Sequence, residues 1–361
     1  MKKIRIPRIL LIVSVIFVAV FSFSFFSCQE EIDGVGLFGS EEQIRTARFS
    51  IPEFRFAWGR QAQPEEFNGI IPPPQVQNDP IFREVNDLVV YENDAGKEYI
   101  FTLEVCGHRV QKFTDDGIPI SQWGSLCHWA DGGAFCDSTN GASEFYFPTY
   151  MALHQDSGFI YVSDMANHRV QKFDPNGRFL GAIGERGSGI AQFDSTSGIT
   201  VDETRVYVAD RGNQRVLVFD LNLEPKAIWD NPTIKLFRPA GMASNENSVF
   251  ICDSEANRIV VLDKNGRVTA HFGEKGSQDG EFDSPQFLTV DPTSGYLFIV
   301  DRRNLRIQVF TSNGQFIGKW GTEGQEPGEF MDIVGLTIST NGFIYVADQK
   351  IDRIQKFELR N

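Results

Sequence analysis

The chain has 361 residues, a formal net charge of −14, 41% apolar and 23% charged residues, and 32 Phe beside 33 Gly. That balance can bury a sizeable core, and the Phe and Gly usage suits β-structure with many tight turns. An acidic chain is repelled by nucleic-acid phosphates and anionic membranes, so both are excluded as charge-driven partners except through local basic patches.

In chain order, Lys2, Lys3, Arg5 and Arg8 precede an uncharged apolar run, Ile9 to Phe26, and Ser27-Cys28 ends it before Gln29-Glu30-Glu31. This reads as a secretory signal over 1–27, although the run also has the length of a membrane-spanning helix. Cys28 after a small residue resembles the lipobox of bacterial lipoproteins, with Phe25 departing from the usual Leu. The resemblance implies acylation of Cys28, a tether over 28–53 and anchorage in a bacterial cell envelope. Loss of 1–27 removes four positive charges and no acids, taking the formal charge to −18. Of the remaining cysteines, Cys127 and Cys136 are close in a loop-like segment and are the expected disulfide, with Cys106 and Cys252 beyond them. Three connectivities are open on sequence alone.

From residue 101 one pattern recurs: FTLEVCGHRVQKF, YVSDMANHRVQKF, YVADRGNQRVLVF, FICDSEANRIVVL, FIVDRRNLRIQVF and YVADQKIDRIQKF. Each copy holds an acid and, five residues later, an arginine: Glu104/Arg109, Asp164/Arg169, Asp210/Arg215, Asp253/Arg258, Asp301/Arg306 and Asp348/Arg353. Period-two alternation on both sides of a polar turn predicts two strands. DPNGRFLGAIG, DKNGRVTAHFG and TSNGQFIGKWG predict a further hairpin through Asn-Gly, and SPQFLTVD or PTYMALHQ a strand before the acid. Four strands per unit and six units predict an all-β, six-bladed propeller of four-stranded blades over 54–361.

The repeat resembles the NHL family, which implies this fold and leaves the activity open. An acid and an arginine repeated in every blade are expected to be structural, meeting across the turn and satisfying its backbone N–H groups. The last unit stops after its third strand, while Arg55 to Trp58 reads as an outer strand with no unit before it. The N-terminal strand is therefore expected to complete the C-terminal blade and close the ring.

Two insertions break the repeat. Phe67 to Glu104 spans 37 residues where other blades have 16 to 19, and Gly124 to Phe145 spans 21 where others have 9. Both precede an inner strand and are expected to flank blade 1 on the funnel face. Arg211, Arg302, Arg303 and Lys350 fall in turns on that face, a cationic arc suited to a carboxylate or anionic glycan, with Trp129 and Tyr150 as aromatic contacts.

His108 and His168 occupy the same turn position in adjacent units and His128 lies in the insertion, a set that can hold zinc with an open position. It is similar to the peptidyl-alpha-hydroxyglycine alpha-amidating lyase family, although that family draws its ligands from blades spread around the funnel. Asp131, Asp137 and Asn140 offer oxygen ligands without calcium-loop spacing, and calcium-dependent lactonase propellers are an analogy without a motif. No nucleophile elbow, phosphate loop or zinc-protease helix motif occurs. The expectation is a monomeric, lipid-anchored propeller that binds a protein, peptide or carbohydrate, with a metal-dependent lyase or hydrolase as the alternative.

Overall fold

Alternating apolar and polar residues over five to eight positions, cut by Gly-, Asn- and Asp-rich turns, give strands and, among the described residues, only two single-turn 3-10 segments. The computed structural model describes residues 50, 52–61, 81–126, 128–130, 133–135, 142–230 and 234–359, with the backbone alone at 60, 61, 81, 128–130 and 133–135. The signal over 1–27, Cys28 and nearly all of the tether, Phe67, the Cys127–Cys136 pair, and Asp131, Asp137 and Asn140 lie outside the described residues.

Six four-stranded antiparallel sheets form the six blades. Blade 1 runs Val85–Glu92, Glu98–Glu104, Arg109–Thr114 and Pro119–Trp123. The inner strands of blades 2 to 6 are Pro148–His154, Thr196–Val201, Pro239–Ser244, Pro285–Val290 and Ile333–Ile338. Each packs against the inner strand of the next, and that of blade 6 against blade 1, so the ring is closed.

The closure is the expected one. Glu53–Trp58 pairs antiparallel with Arg353–Glu358 and is the outer strand of blade 6. Trp58, buried, lies so close over the Gly117 turn of blade 1 that a Cβ there would sit 2.7 Å from the indole. Lys356 of blade 6 reaches the same turn, 3.0 Å from Asp115 Oδ2. The apolar core lies between successive blades, one cluster joining blades 5, 6 and 1 through Trp58, Phe82, Phe113, Trp320 and Phe357.

The Asn-Gly hairpins form as expected. Asp174 N bonds to Arg178 O and Gly177 N to Asp174 O, and only the Gly is left-handed, at φ 84°. The strand pair bulges there, at Lys172/Phe173, which absorbs the extra residue. One other detail differs from the sequence reading: the anchor that precedes blade 1 is Phe82, not Phe67. Ile81–Phe82 pairs parallel with Arg60–Gln61, as Glu329–Phe330 does with Thr322–Glu323, and Phe82 is fully buried like Phe145, Phe193, Phe282 and Phe330. The first insertion therefore lies before the anchor, in the connection from the outer strand of blade 6.

Candidate ligand-binding face

Each inner strand begins on the face that carries the blade-to-blade connections and the turns between second and third strands, here the connecting face. The Asp–Arg pairs organise it. Arg109 lies 2.9 Å from Glu104, Arg169 2.8 Å from Asp164, Arg215 2.9 Å from Asp210, Arg258 2.9 Å from Asp253 and Arg306 2.8 Å from Asp301. The arginine goes on to hold the connection from the previous blade: Arg215 donates to the carbonyls of Ser188, Gly189 and Gln192, and Arg306 to those of Ser277, Gln278 and Glu281. The acid accepts the first backbone N–H after the buried anchor, from Tyr146, Asp194, Phe237, Asp283 or Met331.

This corrects the expectation that the acid serves the N–H groups of its own turn. In the strand ladder it faces the start of the inner strand, as in Thr196↔Asp210 and Pro285↔Asp301, so its carboxylate meets the lead-in segment. The turn contributes side-chain amides instead, Asn167, Asn213 and Asn304 each donating to the acid. Blade 6 differs again. Arg353 forms no ion pair with Asp348; it donates to Gln325 O and Glu329 O, and its Nε has no hydrogen-bond partner.

The same register places Phe237 and Leu236. The N–H groups of Phe237 and Arg238 both bond to Asp253 Oδ1, so Phe237 stands where the other blades have Tyr146, Asp194, Asp283, Met331 and Arg83, and Leu236 is the buried anchor of blade 4. The Phe237 ring is 50% exposed.

His108 and His168 are left-handed turn residues, at φ 48° and 52°. Each turns toward the lead-in of its own next blade. His168 Nδ1 accepts from Ser195 N at 3.1 Å, and the His108 ring lies near-parallel to Tyr146, 6.3 Å between centroids, with Phe147 at its edge. Burial holds His108 down to about 4 and lowers His168 as well. Asn257 and Asp352 hold the same turn position and likewise accept N–H bonds, from Ser284 and Val85. The side chain of His128 lies outside the described residues. Among the described residues no three His, Cys, Asp or Glu side chains could hold a metal ion, and there is no disulfide. Cys106 donates to Glu84, and Cys252 is fully buried.

The cationic arc is not a row of four equivalent charges. Arg302 makes a bidentate pair with Asp332, at 2.6 and 2.7 Å, and a third bond to Gln286, so its charge is matched. Arg303 is exposed and 3.5 Å from Asp283, and Lys350 is exposed. Arg211 is half-buried. Burial first, then the charge of Arg238, brings its pKa down to about 10. Arg238 was missed in the sequence because it lies outside the repeated turn, on the lead-in of the neighbouring blade. Among the described residues neither guanidinium has a hydrogen-bond or ion-pair partner.

Tyr150, expected as an aromatic contact, sits on the axis. It crosses from blade 2 to stack on Phe287 of blade 5, and its hydroxyl is 3.4 Å from Gln286 O. Below that stack a cavity of about 280 Å3 is lined by all six inner strands and reaches Glu92, Gln155, Pro292 and Thr340 on the opposite face. Asp87 lies on its wall. The carboxylate accepts from Leu88 N and Met151 N, each at 2.8 Å, and burial pushes it up to about 8. The side chain of Trp129 lies outside the described residues.

A family model described as a 6-bladed beta-propeller matches residues 148–233 and 289–361. NHL repeat-containing protein 3 of Homo sapiens is 32% identical over 146 residues, 37% of this chain and 40% of that protein. The chain thus spans well under half of that relative. Among solved structures, one of unknown function from Bacteroides thetaiotaomicron matches with a TM-score of 0.57 at 14% identity, covering 80% of this chain and 72% of that one. A streptogramin B lyase matches at 0.52 and 13% identity, covering 77% and 94%. At these identities the structural matches carry the fold alone.

Proposed function

We propose, with an NHL-type six-bladed propeller as the premise, that this protein is a binding module whose connecting face engages a protein partner. The observation that carries this reading is the placement of aromatic residues at repeat positions that lie on that face. Tyr146 and Phe147 in blade 2 and Phe237 in blade 4 stand where blades 3 and 5 have Asp194 and Ser195, or Asp283 and Ser284. None of the three is needed as the buried anchor, which is Phe145 or Leu236. Aromatic side chains on a rigid scaffold bring large contact area at little cost in side-chain entropy. The relationship to NHL-repeat proteins supports a binding role.

The same proposal places the propeller outside the cytoplasm, exported by residues 1–27 and held in a bacterial cell envelope through acylated Cys28. An alkyne fatty acid fed to producing cells is expected to label the wild type and not Cys28→Ser; absence of label from both rejects the anchor.

The binding reading is tested by affinity capture from a cell-envelope extract. A partner retained by the wild type is expected to be lost from Phe237→Ser, with the melting temperature unchanged, and from Tyr146→Ser, whose ring also packs on His108. Equal capture by all three proteins would contradict it.

A further inference from the structure

We infer that the junction of blades 3 and 4 is a carboxylate pocket, in which Arg211 and Arg238 take the acid and Phe237 takes the apolar group that bears it. This inference rests on the connecting face being the binding face, and it names the ligand chemistry of one part of that face.

The repeat supplies an internal control. Arg302 directly follows the acid of blade 5, and Asp332 stands two residues after the buried anchor of blade 6; the two form a bidentate pair. Arg211 directly follows the acid of blade 3, and Arg238 stands two residues after the anchor Leu236 of blade 4. The same two positions therefore hold an acid and an arginine at one junction and two arginines at the other. Like charges brought together on a part-buried surface are unfavourable unless an anion joins them.

The turn itself is fastened to the site. Gln214 Nε2, three residues after Arg211, donates to Phe237 O at 3.2 Å, so the blade 3 turn and the blade 4 lead-in form one surface. Arg258 backs the Phe237 ring, its guanidinium carbon 5.9 Å from the centroid, and the residue stays 50% exposed. The exposed Glu255 carboxylate also acts on Arg211, so two cations and one acid leave a surplus of one positive charge. A monoanion matches that surplus, and a dianionic phosphate does not. A carboxylate beside an apolar group, such as the C-terminus of a peptide ending in an aromatic or aliphatic residue, satisfies both the charge and the ring.

Titration calorimetry on the full chain with N-acetyl-phenylalanine, its amide and inorganic phosphate tests this. The acid is expected to bind at least tenfold more tightly than the amide and than phosphate. That preference should fall below twofold in Arg211→Met and in Arg238→Met, each with an unchanged melting temperature. Equal binding of acid and amide, or tighter binding of phosphate, by the wild type overturns the inference without any variant having to fold. If that happens while Phe237→Ser still loses its captured partner, the pocket chemistry is wrong and the binding face stands. If capture by Phe237→Ser is unchanged, the face itself is wrong.

Discussion

The Tyr150 ring of blade 2 and the Phe287 ring of blade 5 stack with centroids 4.7 Å apart and planes 30° from parallel. In a ring of six, blades 2 and 5 stand opposite, so this stack crosses the axis and separates the connecting face from the 280 Å3 cavity beneath it. Phe287 is buried, and each ring has the other as a neighbour across what would otherwise be a channel. Tyr150→Ala is expected to cost about 2–4 kcal/mol in denaturant unfolding, through lost burial and the cavity left behind. Tyr150→Phe keeps the stack and loses only the bond to Gln286 O, a cost of about 1 kcal/mol or less. Equal losses in the two variants would mean that the hydroxyl, not the stack, holds the blades.

The Asp–Arg pairs give a comparison inside one molecule. Arg215 and Asp210 are both buried, so Arg215→Ala leaves an unmatched carboxylate and frees three loop carbonyls; about 3–5 kcal/mol is expected. Arg353 makes two carbonyl bonds and no ion pair with Asp348, so Arg353→Ala should cost about half as much. Chemical denaturation of the two variants measures this directly, and identical losses would show that the carbonyl bonds carry the effect alone.

The ring was legible in the sequence because each blade repeats an acid, a four-residue turn and an arginine, and because Arg55 to Trp58 had no unit to precede it. What failed did so where identity and position separate. Glu66-Phe67 reads like the other anchors, yet the anchor is fixed by parallel pairing with Arg60–Gln61, and Phe82 makes that pairing. Phe237 has the residue type of an anchor, whereas the bonds to Asp253 place Leu236 there and Phe237 one residue beyond it. Arg302 looked like a charge open to a ligand because its partner, Asp332, comes from the next blade, 30 residues on. Arg238 lies on the lead-in of blade 4, outside the repeated turn, and meets Arg211 only across blades. Pairings across blades have no signature in a single repeat.

Ring closure depends on a strand from the other end of the chain. Trp58 is 7% exposed and packs over the Gly117 turn and the Tyr345 ring, at 6.2 Å between centroids. Trp58→Ala is expected to lower stability by about 3–5 kcal/mol, and deletion of residues 52–59 to remove the single cooperative transition. Calorimetry on both variants checks this. A deletion variant that melts as the wild type does would remove the strand from any role in closure.

Asp352 joins blade 6 to blade 1 by accepting from Val85 N at 3.2 Å. Burial raises its carboxyl to about 7, and the nearby Glu104 and Glu84 push in the same direction. An unfolded Asp ionises near about 3.9, so between that value and about 7 the folded state binds the proton and the unfolded state does not. The contribution of Asp352 to stability is full below about pH 4 and is lost as pH rises through 7. Asp352→Asn keeps the acceptor without the ionisation. Its melting temperature, measured from pH 4 to 9, should gain on the wild type as pH rises; a constant difference across that range would contradict the raised pKa.

The central claim, that recognition takes place on the connecting face, is met most directly by site-specific photo-crosslinking. p-Benzoylphenylalanine is placed at Phe237 on that face or at Gln155 at the mouth of the opposite cavity, and each protein is irradiated in envelope extract. A discrete adduct from position 237 and none from position 155 is the predicted result. An adduct from position 155 with none from 237 would contradict the account.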